Sequence, residues 1–545
     1  MENILKPARY IDSEWNSIHK EWKHDMLKVA LCFPDIYEIG MSHLGMKILY
    51  GVLNNENDII CERVFSPWND KEQQMRQKDE MIYCLESSHA LNEFDIIGFS
   101  FQYEMNYTDV LNMLDLGNVP LLAKDRSDTD PLVIAGGSCV FNPEPMADFI
   151  DAFVIGEAEE AILEIARLVK SEKCEVKSNR GDILKQLGKI KGVYVPGLSV
   201  ERGALSIERR IIKDLDSSYF PTNIVVPYIQ IVHDRIGIEI MRGCPHKCRF
   251  CQACRIFHPL RLRSVKRIME IAEESIKNTG YEEISLLSLS SGDYPHMEEL
   301  IRRLEERFKA LGVKVSMPSL RVVSFDEHNG MDTLKRAGLT FAPEAGSERL
   351  RHLLNKNIKD QEIVEKSRVA LNSGWRKVKL YFMIGLPGET YEDLNAIMEL
   401  VEKIKDFKPS RRGLLSNGVN LSINLFIPKP YSDFEREGMD DLESLKEKQR
   451  YLESRAKSQG PRGRIRMDFH SIEMSRIEAV LARGDRQTGK VILKAWQKGG
   501  RLQAWTEHFN YKIWEESFQE TGLDPEFYLK KNDRDAVLPW GFISR

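Results

Sequence analysis

The chain has 545 residues, 42% hydrophobic and 30% charged, with a formal net charge of −5. That length exceeds what one core holds and implies about three domains. The charge balance excludes a globally basic nucleic-acid binder, and no apolar run reaches the roughly 20 residues that span a bilayer.

The opening stretch MENILKPARYIDSEW carries acidic residues and no apolar h-region, so it does not read as a secretory signal. A cytoplasmic protein with reduced thiols is expected. Taken in chain order, LKVALCF (27–33), DIIGFSF (95–101), PLVIAGG (131–137) and DAFVIGE (151–157) each read as a buried strand ending in a turn. Helical patterns such as Ser42–Asn54 and Thr108–Leu116 lie between them. Apolar strands alternating with helices imply an α/β fold with a parallel sheet covered on both faces. The size suits a five-stranded, flavodoxin-like domain over residues 1–175, with ligands beyond the strands' carboxyl ends. A connector over 176–232 contains the short strand-like pieces GVYVPGL and GALSIERR.

A second strand–helix series starts near 233. Its strands are IGIEIMR (236–242), EISLLSL (283–289), VKVSMPSL (313–320), LTFAPE (339–344), VKLYFMIGLP (378–387) and VNLSINLFIP (419–428). Helical stretches such as Val265–Thr279 and Met297–Leu311 separate them. Six βα units over 233–455 suggest a partial (βα)6 barrel of the TIM type, with function on the loops after the strands. KSQGPRGR (457–464) marks a break, and residues 456–545 read as a mostly helical region carrying Trp496, Trp505, Trp514 and Trp540. The basic run from Arg455 to Arg466 reads as a solvated inter-domain loop in preference to a phosphate-backbone contact.

Nine cysteines, five of them isolated, do not form a disulfide framework. The other four fall in RGCPHKCRFCQAC (242–254), just after the second series' first strand. Cys244, Cys248 and Cys251 have the spacing C-x-x-x-C-x-x-C. Three thiolates on one loop suit three irons of a [4Fe–4S] cubane and leave the fourth iron open, as a catalytic centre requires. A structural zinc site would want a second Cys/His pair at finger spacing, which His246 and His258 do not supply.

This motif, with the aromatic Phe250 before its last cysteine, resembles the radical S-adenosylmethionine (SAM) superfamily. The resemblance implies that the open iron chelates SAM, and that electron transfer cleaves SAM to a 5′-deoxyadenosyl radical which abstracts hydrogen from substrate. It also implies a reductant protein such as flavodoxin or ferredoxin. Further matches follow successive strands. LSSGD (289–293) is similar to the glycine-rich turn that meets the SAM amino group, with Ser290, Ser291, Gly292 and Asp293 as contacts. Ser319 and Arg321 in SLR would reach ribose and carboxylate, and Glu344 in APEAGSERL the ribose or amino group. Gly385 in MIGLPGET would lie on the adenine side, and Phe250 counts among the SAM contacts. Cys254, extra to the pattern, is expected to be a free thiol.

A flavodoxin-like domain ahead of such a barrel resembles the cobalamin-binding subclass, in an uncharacterised bacterial family; the resemblance covers about residues 25–430. Many cobalamin domains carry D-x-H-x-x-G after their first strand. Here DIYEIG (35–40) keeps Asp35 and Gly40 but has Tyr37 in place of histidine, which implies cobalamin without a histidine lower ligand. Ser100, Gly136 and Gly137 resemble later elements that line the cofactor's tail. The expected activity is a radical SAM reaction on an unknown substrate, with cobalamin-dependent methyl transfer. The alternatives are methylthiotransferase-like RNA modification, which needs a second cluster on N-terminal cysteines, and a non-enzymatic cobalamin- or redox-sensing protein.

Overall fold

A computed structural model describes residues 4–174, 179–198, 206–316, 339–372, 377–405, 418–458 and 465–544. The first sheet contains β1 (Leu27–Phe33), β2 (Ile59–Phe65), β3 (Ile96–Ser100), β4 (Leu132–Gly136), β5 (Ala152–Val154) and β6 (Val193–Tyr194) in the order β2-β1-β3-β4-β5-β6. β1 to β5 run parallel and β6 is an antiparallel edge. Six of the seven β1 residues are buried, as a sheet covered on both faces requires.

Two of these strands differ from the sequence reading. β2 escaped notice because its run, IICERVF, carries Glu62 and Arg63 in mid-strand, yet they are only 2% and 3% exposed. Glu62 accepts from Trp22 Nε1 at 2.9 Å, while Arg63 lies 2.6 Å from Glu86 and 2.5 Å from Glu14. Buried polar groups persist in a strand when each is satisfied; here Arg63 is ion-paired, and Glu62 is hydrogen-bonded to Trp22 and Ser87. β6 falls in the strand-like piece GVYVPGL of the expected connector, but it joins the first sheet as its antiparallel edge, where Phe153 and Val154 pair with it and so gain partners.

The second series holds β7 (Ile236–Glu239), β8 (Met241–Arg242), β9 (Arg261–Leu262), β10 (Glu283–Leu287), β11 (Lys314–Ser316), β12 (Leu339–Glu344), β13 (Lys377–Ile384), β14 (Gly418–Leu425) and β15 (Arg466–Phe469). They form two parallel sheets, β11-β10-β7 and β12-β13-β14-β15, while β8 and β9 pair antiparallel as a short arm. Helix Val265–Thr279 turns Ile268, Ile271 and Ala272 inward; Ser264 caps its start by accepting from Arg267 N, and Gly280, in the left-handed region, ends it. Six strands were expected; β15 adds a seventh, drawn from the stretch read as helical, and the third expected strand is described only to Ser316.

The last part is built on helices Ile472–Arg483, Thr488–Gln497, Tyr511–Thr521 and Pro525–Leu529. Trp514 and Trp540 fill its interior, within one apolar cluster that also takes in Val110 and Leu111 behind the first sheet and Leu380 of β13. The first sheet and the C-terminal helices are thereby fused, and Leu502 N donates to buried Asp109 at 2.8 Å.

Candidate active site

The cysteine loop begins at a turn that only glycine tolerates. Gly243 has φ +90°, and a Cβ there would meet Phe257 O at 2.8 Å and Pro259 O at 2.9 Å. Cys244, Cys248 and Cys251 are partly exposed, whereas Cys32, Cys61, Cys84, Cys139 and Cys254 are buried. The loop is pinned from two sides. His246 Nε2 meets Asp293 Oδ2 at 2.9 Å, on the turn after β10. Arg249 N donates to Leu354 O at 3.0 Å, and Asn355 Nδ2 to Lys247 O at 2.8 Å. Phe250 packs into the small apolar cluster of Ala345, Leu350, Leu354, Met383 and Leu386, at the ends of β12 and β13.

Hydrogen bonds from the Cys254 thiol and backbone hold the Cys251 thiol well below its ordinary range, against its burial and the nearby charge of Glu344. Cys254 itself turns inward, 3.1 Å from Cys251 O and 3.8 Å from Cys248 O. Among the described residues, no three Cys, His, Asp or Glu side chains converge as ligands of a single ion. One tetrahedral zinc would hold its sulfurs about 3.8 Å apart. A cubane takes one thiolate per iron and sets its sulfurs further apart than a single ion does, and the three thiols are part-exposed on one loop, as such a ligand set would require.

The expected SAM contacts are distributed unevenly around this loop. Ser290 donates to Asp293 within its own turn, and Ser291 donates to Leu286 O at 3.1 Å, so both hydroxyls shape the turn. Gly292 is part-buried in that turn, and Asp293 reaches the cysteine loop through His246. Glu344 ends β12 with φ +72°, strained for a non-glycine residue, and accepts from Lys356 Nζ at 2.7 Å. Gly385 has φ +78° and gives its N–H to Glu389 Oε2 at 2.8 Å; the side a Cβ would occupy faces Leu445 at 3.0 Å. It therefore shapes the turn after β13 on the side of helix Leu442–Ser458. Ser319 and Arg321 lie outside the described residues. Sequence reasoning overlooked His246 as a loop anchor and Lys356 as the partner of Glu344; neither pairing leaves a local pattern, since the partners are 47 and 12 residues apart.

Next to the loop lies a cavity of about 400 Å³ between the carboxyl ends of the first sheet and the start of the second series. Ser100, Gly136 and Gly137 form part of one wall, and Met241, Arg242 and Gly243, which lead into Cys244, form part of the other. Gly137 has φ +114°, and a Cβ there would strike Phe101 O. Gln102 Nε2 donates to Ser100 Oγ at 3.0 Å, and Ser138 Oγ to Gln102 Oε1 at 3.2 Å. His43 is in the wall and caps helix Leu44–Asn54, its Nδ1 accepting from Met46 N at 3.3 Å. That bond places the proton of the neutral ring on Nε2, and burial pulls the ring's pKa down to about 4.

Charges fasten the two walls together. Arg242 lies 2.8 Å from Glu159, 3.2 Å from Glu157 and 2.9 Å from Glu239, and Arg261 lies 2.7 Å from Glu157. The segment GEAEEAI after β5 is thus tied to the arm that carries the cysteine loop.

Asp35, Tyr37 and Gly40 do not line this cavity. Asp35 is buried and accepts from Trp505 Nε1 at 2.9 Å and Ile36 N at 2.7 Å. Tyr37 OH donates to Glu14 in the Arg63 network, and burial, then Glu14, push its phenol up. Gly40 sits flat against the Phe65 ring, where any Cβ would collide. The loop after β1 folds into a helical turn, Tyr37–Gly40, in which Tyr37 is taken by Glu14 and Glu38 by Arg9 and Lys6 of the N-terminal segment.

Residues 238–401 match the family model "Radical SAM superfamily", and residues 45–196 match "Radical SAM proteins, N-terminal". The uncharacterized protein MJ0966 of Methanocaldococcus jannaschii is 31% identical over 467 residues, which cover 85% of this chain and 90% of that protein. The uncharacterized methyltransferase PH0819 of Pyrococcus horikoshii is 26% identical over 306 residues, 54% of this chain and 62% of its own. Among solved structures, the radical SAM methyltransferase TsrM of Kitasatospora setae, with cobalamin and a [4Fe–4S] cluster bound, superposes with TM-score 0.52 at 15% identity. That match covers 75% of this chain and 77% of TsrM, and it speaks for the fold. With its cysteine loop, its parallel strands and these matches together, the chain belongs to the radical SAM superfamily.

Proposed function

We propose that this enzyme holds a [4Fe–4S] cluster on Cys244, Cys248 and Cys251, cleaves SAM reductively, and methylates an unidentified substrate through a cobalamin seated in the cavity beside the cysteine loop. The strand order 2-1-3-4-5 of the first sheet supports a flavodoxin-like domain, whose ligands lie beyond the carboxyl ends at the switch point. The second series reads as a partial barrel with its chemistry on the loops after the strands. One observation carries the proposal: an apolar-walled cavity of about 400 Å³ lies at those carboxyl ends and shares Met241–Gly243 with the cysteine loop.

When bound, the cluster supplies the electron that splits SAM, and cobalamin the methyl carrier. The chain's residues bind, orient and exclude water. Asp293, held by His246, and Glu344, held by Lys356, present carboxylates on two sides of the cysteine loop, where the SAM amino group and ribose would be met. Cys254, whose thiol is engaged with Cys251 O and the Cys251 thiol, would leave the fourth iron open. Gly136 leaves the cavity wall without a side chain, and neutral His43 offers an Nε2–H donor. The reductant is an external one-electron carrier such as flavodoxin or ferredoxin.

The methylthiotransferase reading needs a second cluster. Cys32, Cys61, Cys84 and Cys139 are buried, and burial pushes each thiol's pKa up, the opposite of what a thiolate ligand requires. The decisive experiment is anaerobic reconstitution with iron, sulfide and cobalamin. About four irons and one cobalamin per chain are expected, with release of S-adenosylhomocysteine and 5′-deoxyadenosine on reduction with SAM. About eight irons, or a cluster spectrum that SAM does not alter, would overturn the reading.

A further inference from the structure

A second cavity, of about 40 Å³, lies on the far side of Leu44 and Leu287, which also wall the large one. It opens near exposed His233 and runs inward between helix Leu44–Asn54 and the sheet of β7 and β10. Its lining is rich in donors. Lys47 reaches it from the helix, and His233 and Arg235 stand beside it. Ser275 and Ser285, only 1% and 0% exposed, also line it, and neither hydroxyl has a hydrogen-bond partner among the described residues.

The negative charges nearby are already committed. Arg235 lies 3.4 Å from Glu283 and its Nη2 is 3.4 Å from His233 Nδ1, while Asp234 accepts from Tyr281 OH at 3.0 Å. Lys47 has no ion pair with any described residue; its interior position pulls its pKa down to about 8, and Asp234 offsets that only in part. An unpaired ammonium beside two orphan hydroxyls is an expensive arrangement, because buried polar groups lose water without gaining partners. The volume suits about three waters or one small tetrahedral ion.

We propose that this second cavity binds a phosphate group or a comparable tetrahedral oxyanion, with Lys47 as its counter-charge and the Ser275 and Ser285 hydroxyls as its donors. The proposal stands apart from the cluster and cobalamin readings, since none of these residues lines the large cavity. It predicts saturable binding of one inorganic phosphate per chain by the anaerobically prepared full-length protein, measured by equilibrium dialysis with labelled phosphate. Lys47→Met, which keeps the stem and removes the charge, weakens that affinity about tenfold or more. Ser285→Ala weakens it severalfold, and provides the test if Lys47→Met fails to fold. Competition by adenosine 5′-monophosphate at lower concentration than phosphate would assign the site to the phosphate of a larger ligand; competition by sulfate and phosphate alone would assign it to a free anion. Absence of saturable binding, or undiminished affinity in both variants with iron content intact, would mean that the cavity holds only water and would overturn the proposal.

Discussion

Two loops, each following the first strand of its own sheet, carry the sequence features that pointed to a cofactor, and the structure treats them in opposite ways. After β8, the loop around Cys244–Cys251 keeps three thiols half-exposed and is pinned from outside by Asp293, Leu354 and Asn355. After β1, the loop Asp35–Gly40 turns its polar groups inward: Asp35 to Trp505, Tyr37 to Glu14, Gly40 to Phe65. A motif stays open when its groups are held by their backbone and neighbours. It becomes structural when its side chains are themselves the fasteners. On this reading the cysteine loop is chemistry and the β1 loop is scaffold, and the contrast can be broken experimentally.

The largest effect belongs to the cysteine loop. Cys251→Ala should lose most of its iron and all measurable SAM cleavage, read by colorimetric iron assay and product chromatography. Full iron in that variant would remove the contrast altogether. Next comes the cavity wall. Space is open around the Cβ position of Gly136, the nearest atoms being those of Val154 at 3.9 Å, so Gly136→Val should fold normally and intrude on the cofactor's volume. Cobalamin retention should fall about tenfold or more while iron content is unchanged.

The third effect is on stability against pH in cofactor-free protein. The His43 pKa lies near 4 in the folded chain and near 6.5 when unfolded, so the unfolded state binds the extra proton between those values. Stability contributed by the neutral ring is complete above pH 6.5 and is lost as pH falls towards 4, by up to about 3 kcal/mol. Urea denaturation of wild type and His43→Gln across that window should show the slope flattened in the variant.

A smaller change is expected in the β1 loop. Tyr37→Phe removes one buried hydrogen bond and should cost about 1–2 kcal/mol in urea unfolding, with the spectrum of bound cobalamin unchanged. A shifted cobalamin spectrum would return Tyr37 to the cofactor and collapse the comparison. The smallest effect should come from Cys254→Ala, which keeps about four irons and SAM-dependent spectral change, because the backbone N–H groups of Ala253 and Cys254 still favour the Cys251 thiolate once the Cys254 thiol is gone. Loss of iron there would make Cys254 a ligand.

How much of this was legible in advance varies with the residue. The spacing of Cys244, Cys248 and Cys251 was readable because all three lie on one loop. Strands β1, β3, β4 and β13 announced themselves as apolar runs. β2 did not, because Glu62 and Arg63 look like surface residues until Glu14, Glu86, Trp22 and Ser87 surround them. β15 did not, because its four residues, Arg466–Phe469, carry charge and follow a glycine-rich break.

What the sequence by itself determined is therefore local: the thiol spacing, the alternation of strand and helix, and the glycines at turns that no other residue adopts. What only the tertiary structure decided is convergence. Arg242 meets Glu157 and Glu159, Lys356 meets Glu344, and Asp35 is taken by Trp505, 470 residues away. Such pairs leave no period in the chain, because a hydrogen bond or ion pair depends on distance in space. Whether a polar residue serves a ligand or the scaffold is settled only when every neighbour is in place.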